Sequence, residues 1–192
     1  YLSAWILRRA SSGDPVASMI HVGDSLHALG RLLRSEGPDR HDDAVKALET
    51  ARDHFSDHQL KQARAFTDLA RARHNRALSH LSAGNTAEAA VLFAASEADL
   101  SKALDLTEPH CQGEHAAVSW VRQKIEALVW TSWLKLESDP GAHVKTPLPM
   151  AKAAWELSEK LVRRTKNFRK SDRIEVLLVR GHSLLVSRQF DD

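Results

Sequence analysis

Apolar residues recur along most of the chain at three- and four-residue intervals, the spacing that lines one face of an α-helix. From about Val16 to Ser35 the stripe is Ile20, Leu26, Leu29, Leu32 and Leu33, and Glu36-Gly37-Pro38-Asp39 stops it. Asp39 is then expected to cap a helix of about Arg40 to Ser56, in which Ala44, Val45, Leu48, Ala51 and Phe55 share a face. A longer helix is expected from about Asp57 to Ala83, closed by Gly84-Asn85, with Thr86 capping its successor, about Ala87 to Leu106. The segment from about Glu114 to Glu137 is the most apolar, carrying Val118, Val121, Ile125, Leu128, Val129 and three tryptophans on more than one face. Ser138-Asp139-Pro140-Gly141 ends it, and a loop with Pro147 and Pro149 leads to a helix of about Met150 to Thr165. A last helix spans about Asp172 to Ser187. No alternating, strand-like pattern intervenes, so the fold class is all-α.

Composition sharpens this. Ala (27) and Leu (25) far outnumber Val (12) and Ile (4) among 192 residues, and unbranched side chains lose little rotamer freedom in a helix. The net charge of +2 creates no field that demands nucleic acid or anionic lipid, although 11 histidines would make the chain clearly cationic near pH 6. No apolar run reaches the ~18–20 residues of a membrane span. Cys111, the lone cysteine, has no internal disulfide partner, which points to an intracellular setting, cytoplasmic or nuclear.

Three segments share a signature of a small residue in mid-helix with a larger one three positions on. They are Leu29-Gly30-x-x-Leu33-x-x-x-Gly37, Asn75-Arg76-Ala77-x-x-His80-x-x-x-Gly84 with Ala89 and Phe93 beyond, and Arg180-Gly181-x-x-Leu184. The small residue lets the partner helix of a hairpin approach closely. This pattern resembles the tetratricopeptide repeat, most closely over Asn75–Phe93. Gly30, Ala77 and Gly181 stand 47 and then 104 residues apart. That is wider than the family's ~34-residue unit and implies longer helices. The resemblance implies an α-solenoid of antiparallel helix pairs in a right-handed superhelix, about three and a half repeats over residues 16–192 behind an N-terminal segment 1–15. Its last unit breaks off at Asp192, so the array is expected to be part of a longer protein and to pack against further repeats or a partner subunit.

In such arrays the first helix of each pair lines a concave groove. The resemblance therefore places Arg31, Arg34, Arg71, His74, Asn75, Leu78, His182 and Leu185 where a partner peptide or helix would bind. Lys61–Arg76 carries five cations and one acid, so the middle of that groove is expected to be basic and its ligand an acidic segment with apolar anchors. Some family members clamp a chaperone's C-terminal carboxylates with Lys and Asn side chains. Asn75 matches the middle Asn of that clamp, but Asp24 and Ala28 stand where Lys and Asn are wanted, leaving it incomplete.

Catalytic and metal chemistry find little footing. His54 and His58 at i, i+4, and the set His110, Cys111, Glu114 and His115, have partial metal-ligand spacing, but helix caps and a polar loop account for the same residues. No metal, cofactor or catalytic group is expected. The run Lys160–Arg173 has a net charge of +6 through Lys160, Arg163, Arg164, Lys166, Arg169, Lys170 and Arg173 against Asp172. It supports the alternative of a nucleic-acid-binding helical repeat. A further alternative is the sensor or regulatory part of a multidomain enzyme. The leading expectation is a non-catalytic protein–protein interaction scaffold.

Overall fold

The computed structural model describes residues 15–113, 116–138 and 147–164. Six α-helices occupy them, with no strand among the described residues: α1 (Pro15–Glu36), α2 (His41–His54), α3 (Gln59–Ser82), α4 (Thr86–Thr107), α5 (Val118–Ser138) and α6 (Pro147–Arg164). The expected final helix and the segment 1–14 lie outside the described residues. None of the helices is long and apolar enough to cross a membrane. The chain divides into two compact units between Asp99 and Leu100.

In the first unit α1 and α2 run antiparallel at very close range, because two glycines of α1 face α2. A Cβ at Gly23 would stand 2.6 Å from the Phe55 ring, and one at Gly30 only 2.5 Å from Leu48 Cγ and 3.2 Å from the Ala44 carbonyl oxygen. Gly30 is the small residue of the first repeat signature, and the close helix approach is its physical reason. Leu33, Ala44, Val45, Leu48, Leu69 and Ala72 form a core shared by α1, α2 and α3, and Ala51, Phe55 and Ala65 form a second cluster with Leu26 against it. Helix α3 returns antiparallel to α2, with Arg73 paired to Glu49 and Arg76 to Asp42. It therefore runs parallel to α1. Helix α4 lies against α3 through the Ser96 hydroxyl, which donates to the Ala70 carbonyl at 2.7 Å, and through the Phe93 ring beside His74.

The connections follow from local chemistry, with some departures from expectation. Asp39 does not cap α2: it sits inside a single 3-10 turn, Pro38–Arg40, and Arg40 precedes the helix without a side-chain capping bond. Pro38 takes the first position of that turn, where its missing N–H costs nothing. At the end of α3, Asn85 N–H donates to the His80 carbonyl and Gly84 N–H to that of Leu81. With Gly84 at φ 82°, this is a Schellman closure. Asn85, whose carbonyl accepts from Ala89 N–H, stands at the cap position of α4, and Thr86 is already helical.

In the second unit Val121, Ile125, Leu128 and Val129 of α5 bury against Ala154 and Leu161 of α6, with Leu157 and Met150 at the edge. Helix α6 begins at Pro147, not after Pro149, because both prolines fall in the first turn, where the N–H groups have no intrahelical partner. Helix α5 begins at Val118, four residues later than the periodicity suggests, after a turn at Gly113 with φ 83°.

Gly30→Ala is expected to force the α1–α2 contact apart and to cost about 1–3 kcal/mol, the usual cost of overpacking. Urea unfolding followed by helical circular dichroism measures it; an unchanged midpoint would contradict the close approach.

Candidate functional site

The strongest concentration of charge in the described structure lies between α1 and α3. Asp68 falls on the α3 face that meets α1, and it is buried, with 7% of its surface exposed. Four side chains converge on it. Arg34 Nη1 donates to Oδ1 at 2.9 Å, Arg71 Nη1 to the same oxygen at 3.3 Å, His27 Nε2 stands 3.0 Å from Oδ2, and Arg31 Nε 3.7 Å from Oδ2. Three of these come from α1, where positions 27, 31 and 34 share a face by helical spacing, and Arg71 lies one turn beyond Asp68 on α3. Further back along the same pair of helices Lys61 Nζ donates to both carboxylate oxygens of Asp24, at 2.8 and 2.7 Å.

Burial alone would push the Asp68 carboxyl up, but His27, Arg34 and Arg71 outweigh it and hold it below its ordinary value. Arg34 shows the opposite face of the same arrangement. Its pKa is lowered, chiefly by burial and further by the charges of Arg71 and Arg31, in spite of Asp68. The guanidinium groups of Arg31 and Arg71 thus repel that of Arg34 around the Asp68 carboxylate. Their exposure differs widely: the Arg34 side chain is 12% accessible and Arg31 60%.

On α3 the stripe continues from Asp68 and Arg71 to Asn75, half-buried, and Leu78, which is 39% exposed. Of the residues expected to line a groove, Arg31, Arg34, Arg71, Asn75 and Leu78 are therefore on this face. Arg34 and Arg71 both spend donors on Asp68. His74 is elsewhere, buried with its ring 5.6 Å from Phe93, because it belongs to the stripe through Ala70 and Ala77 that faces α4. His182 and Leu185 lie outside the described residues. The central acid escaped the sequence reading, although a lone Asp among five cations was the available signal.

Asp99 centres a second network. Arg73 bridges two acids, with Nη1 2.5 Å from Asp99 on α4 and Nη2 2.6 Å from Glu49 on α2. Here burial wins over Arg73, and the Asp99 carboxyl is pushed up to about 6. His41, at the start of α2 beside the Ser79 hydroxyl, is pushed below its ordinary value by burial. The Cys111 thiol is raised by burial and so is poorly suited to nucleophilic work.

Of the basic run, Arg163 lies in the last turn of α6, 3.8 Å from Glu159, and Arg164 ends that helix. Lys166, Arg169 and Lys170 are outside the described residues. His54 closes α2 and His58 stands just before α3, so a turn separates them and they do not share one helical face. Among the described residues no three His, Cys, Asp or Glu side chains gather to hold a metal ion.

The two buried acids have opposite linkage to pH. Asp68, with a lowered folded value, contributes stability above the ordinary carboxylate range and loses it as pH falls through that value. Asp99, raised from 3.8 to about 6, favours the folded state when protonated, so its contribution is lost as pH rises between those values, by ~3 kcal/mol at most. Asp68→Ala is expected to destabilise by about 3–5 kcal/mol at neutral pH, since it leaves buried guanidinium charge uncompensated. Asp99→Asn should remove the decline between about pH 4 and 6 and leave the protein more stable than the parent at pH 8. Urea unfolding across pH checks both; a parent-like slope in Asp99→Asn would contradict the raised value.

Compared with known proteins, the chain matches no family model, no curated protein and no solved structure.

Proposed function

We propose that this chain is a non-catalytic interaction module, an α-solenoid of tetratricopeptide-like helix pairs that holds a partner protein segment along the α1–α3 face within a larger intracellular assembly. Two features of α1–α4 support the repeat reading: α1 and α3 run parallel as adjacent first helices, and a glycine closes each of the α1–α2 and α3–α4 connections. The observation that carries the functional reading is the charge around Asp68. Three guanidinium groups share one carboxylate on a face that also presents Asn75 and the exposed Leu78. An acidic segment answers the exposed Arg31, an apolar side chain answers Leu78, and Asn75 offers both a donor and an acceptor to an extended backbone. Apolar anchoring supplies affinity in such a surface, while the arginines fix register.

The test is selection of displayed random peptides on the full chain and on the Arg31→Ala/Leu78→Ala variant. Both side chains are more than one-third exposed, so the variant is expected to keep its helicity. The parent should enrich acidic peptides with an apolar anchor, and the variant should bind them about tenfold or more weakly, as loss of one anchor and one charged contact implies. No enrichment, or enrichment indifferent to the two substitutions, would overturn the reading.

A further inference from the structure

Along the α1–α3 face the exposed groups fall in a fixed order. Arg64, exposed, stands one helical turn before Asp68 on α3, and Arg31, 60% accessible, lies beside Asp68 itself at 3.7 Å. Asn75 follows two turns beyond Asp68, and Leu78, 39% exposed, one turn after that. With ~1.5 Å of rise per residue, Leu78 lies about 15 Å along the helix axis from the level of Arg31 and about 21 Å from Arg64. The exposed cations are therefore at one end of the stripe and the apolar anchor at the other. We propose that this face selects an extended partner segment in which an acidic and a large apolar side chain stand four residues apart, the acid held by Arg31 and the apolar group by Leu78. The proposal rests on the α1–α3 face being the binding surface and specifies the spacing and the conformation that it reads.

Three observations carry it. First, Asn75 is half-buried and its carboxamide is unbonded among the described residues. A helical ligand spends its backbone N–H and C=O groups on itself, whereas an extended one arrives with both exposed, and a carboxamide answers both. Asn75 lies between the two anchor positions, where such a backbone passes. Second, about 15 Å corresponds to four or five residues of extended chain at ~3.3 Å each, and only residues an even number apart point to the same side. Four satisfies both conditions, and five turns one anchor away from the face. Third, the levels of Arg64 and Arg31 are ~6 Å apart along α3, close to the ~6.6 Å between residues i and i+2 of an extended chain. A second acid two positions further from the apolar residue therefore reaches Arg64, which has no ion-pair partner among the described residues. Arg34 and Arg71 are not needed as ligands: both donate to Asp68, and Arg34 is only 12% accessible.

The experiment follows fluorescence anisotropy of labelled, end-capped peptides on the full chain at fixed ionic strength and neutral pH. One Gly/Ser-based set carries a single Glu with Leu three, four or five positions away, in either chain order. A second set adds another Glu two positions further from Leu, and an Ala-rich helical peptide carries Glu and Leu ten positions apart. Spacing four should bind about tenfold or more tightly than three or five, since the wrong parity gives up one anchor. The second Glu should tighten binding about threefold, and Arg64→Ala should abolish that gain. Asn75→Ala should weaken the spacing-four peptide about threefold to tenfold, as lost hydrogen bonds to the ligand backbone imply. Retained helical circular dichroism shows that each variant is folded. Equal binding at the three spacings, a preference for the helical peptide, indifference to Asn75→Ala, or no binding of any peptide would each overturn the proposal. Spacing-indifferent binding that Arg31→Ala/Leu78→Ala abolishes would leave the binding surface standing and remove only the spacing rule. Binding that ignores those two substitutions would remove the surface itself.

Discussion

A buried carboxylate between two parallel helices is the constraint on which the first unit depends. Helices α1 and α3 are not joined by a loop, and the packing that places them side by side is mediated through α2. Asp68 gives that placement a direct polar link, because one acid on α3 engages α1 at three successive positions of its inner face. A buried acid is costly on its own, and it remains ionised here because cations reach it from both helices. The same arrangement leaves the Arg31 side chain, 60% accessible, on the outer surface of the α1–α3 face.

Small residues make this geometry possible. Gly23 and Gly30 bring α2 close to α1, and the alanines Ala63, Ala70, Ala72 and Ala77, all essentially inaccessible, let α3 sit between its neighbours. Where side chains are so small, burial of apolar area supplies less to hold each helix pair, and polar ties between helices take on more of the specification. The Arg73 bridge to Asp99 and Glu49, and the Ser96 bond to the Ala70 carbonyl, play that part between α2, α3 and α4. Asp68 and Asp99 solve the same problem with opposite results. His27, Arg34 and Arg71 keep the first below its ordinary pKa, and Arg73, shared with Glu49, does not do so for the second.

Much of the fold was legible in the sequence because its punctuation is local. Gly37-Pro38 and Gly84-Asn85 end helices by backbone geometry that few other residues reach, and the stripe through Leu48 follows from helical spacing. The helix starts were less legible. Pro147 looked like loop although proline is compatible with a first turn, and Asp39 looked like a cap although a 3-10 turn came between it and α2. The site was legible only in part. Arg31, Arg71, Asn75 and Leu78 emerge on one face from register alone, but His74 does not, since a neighbouring stripe three residues wide decides its burial. Asp68 could not be found by spacing within α3. Three of its four partners lie 34 to 41 positions away on another helix, and only the tertiary pairing of α1 with α3 reveals them.

The most direct measurement of this account is the titration of the Asp68 side-chain carboxyl by carbon-13 NMR, in the parent and in Arg34→Met. The account requires the parent carboxyl to titrate below the ordinary carboxylate value of 3.8 and the substitution to raise it. A parent carboxyl that titrates at or above that value would mean that the guanidinium groups do not converge on it, and the α1–α3 face would lose its organiser.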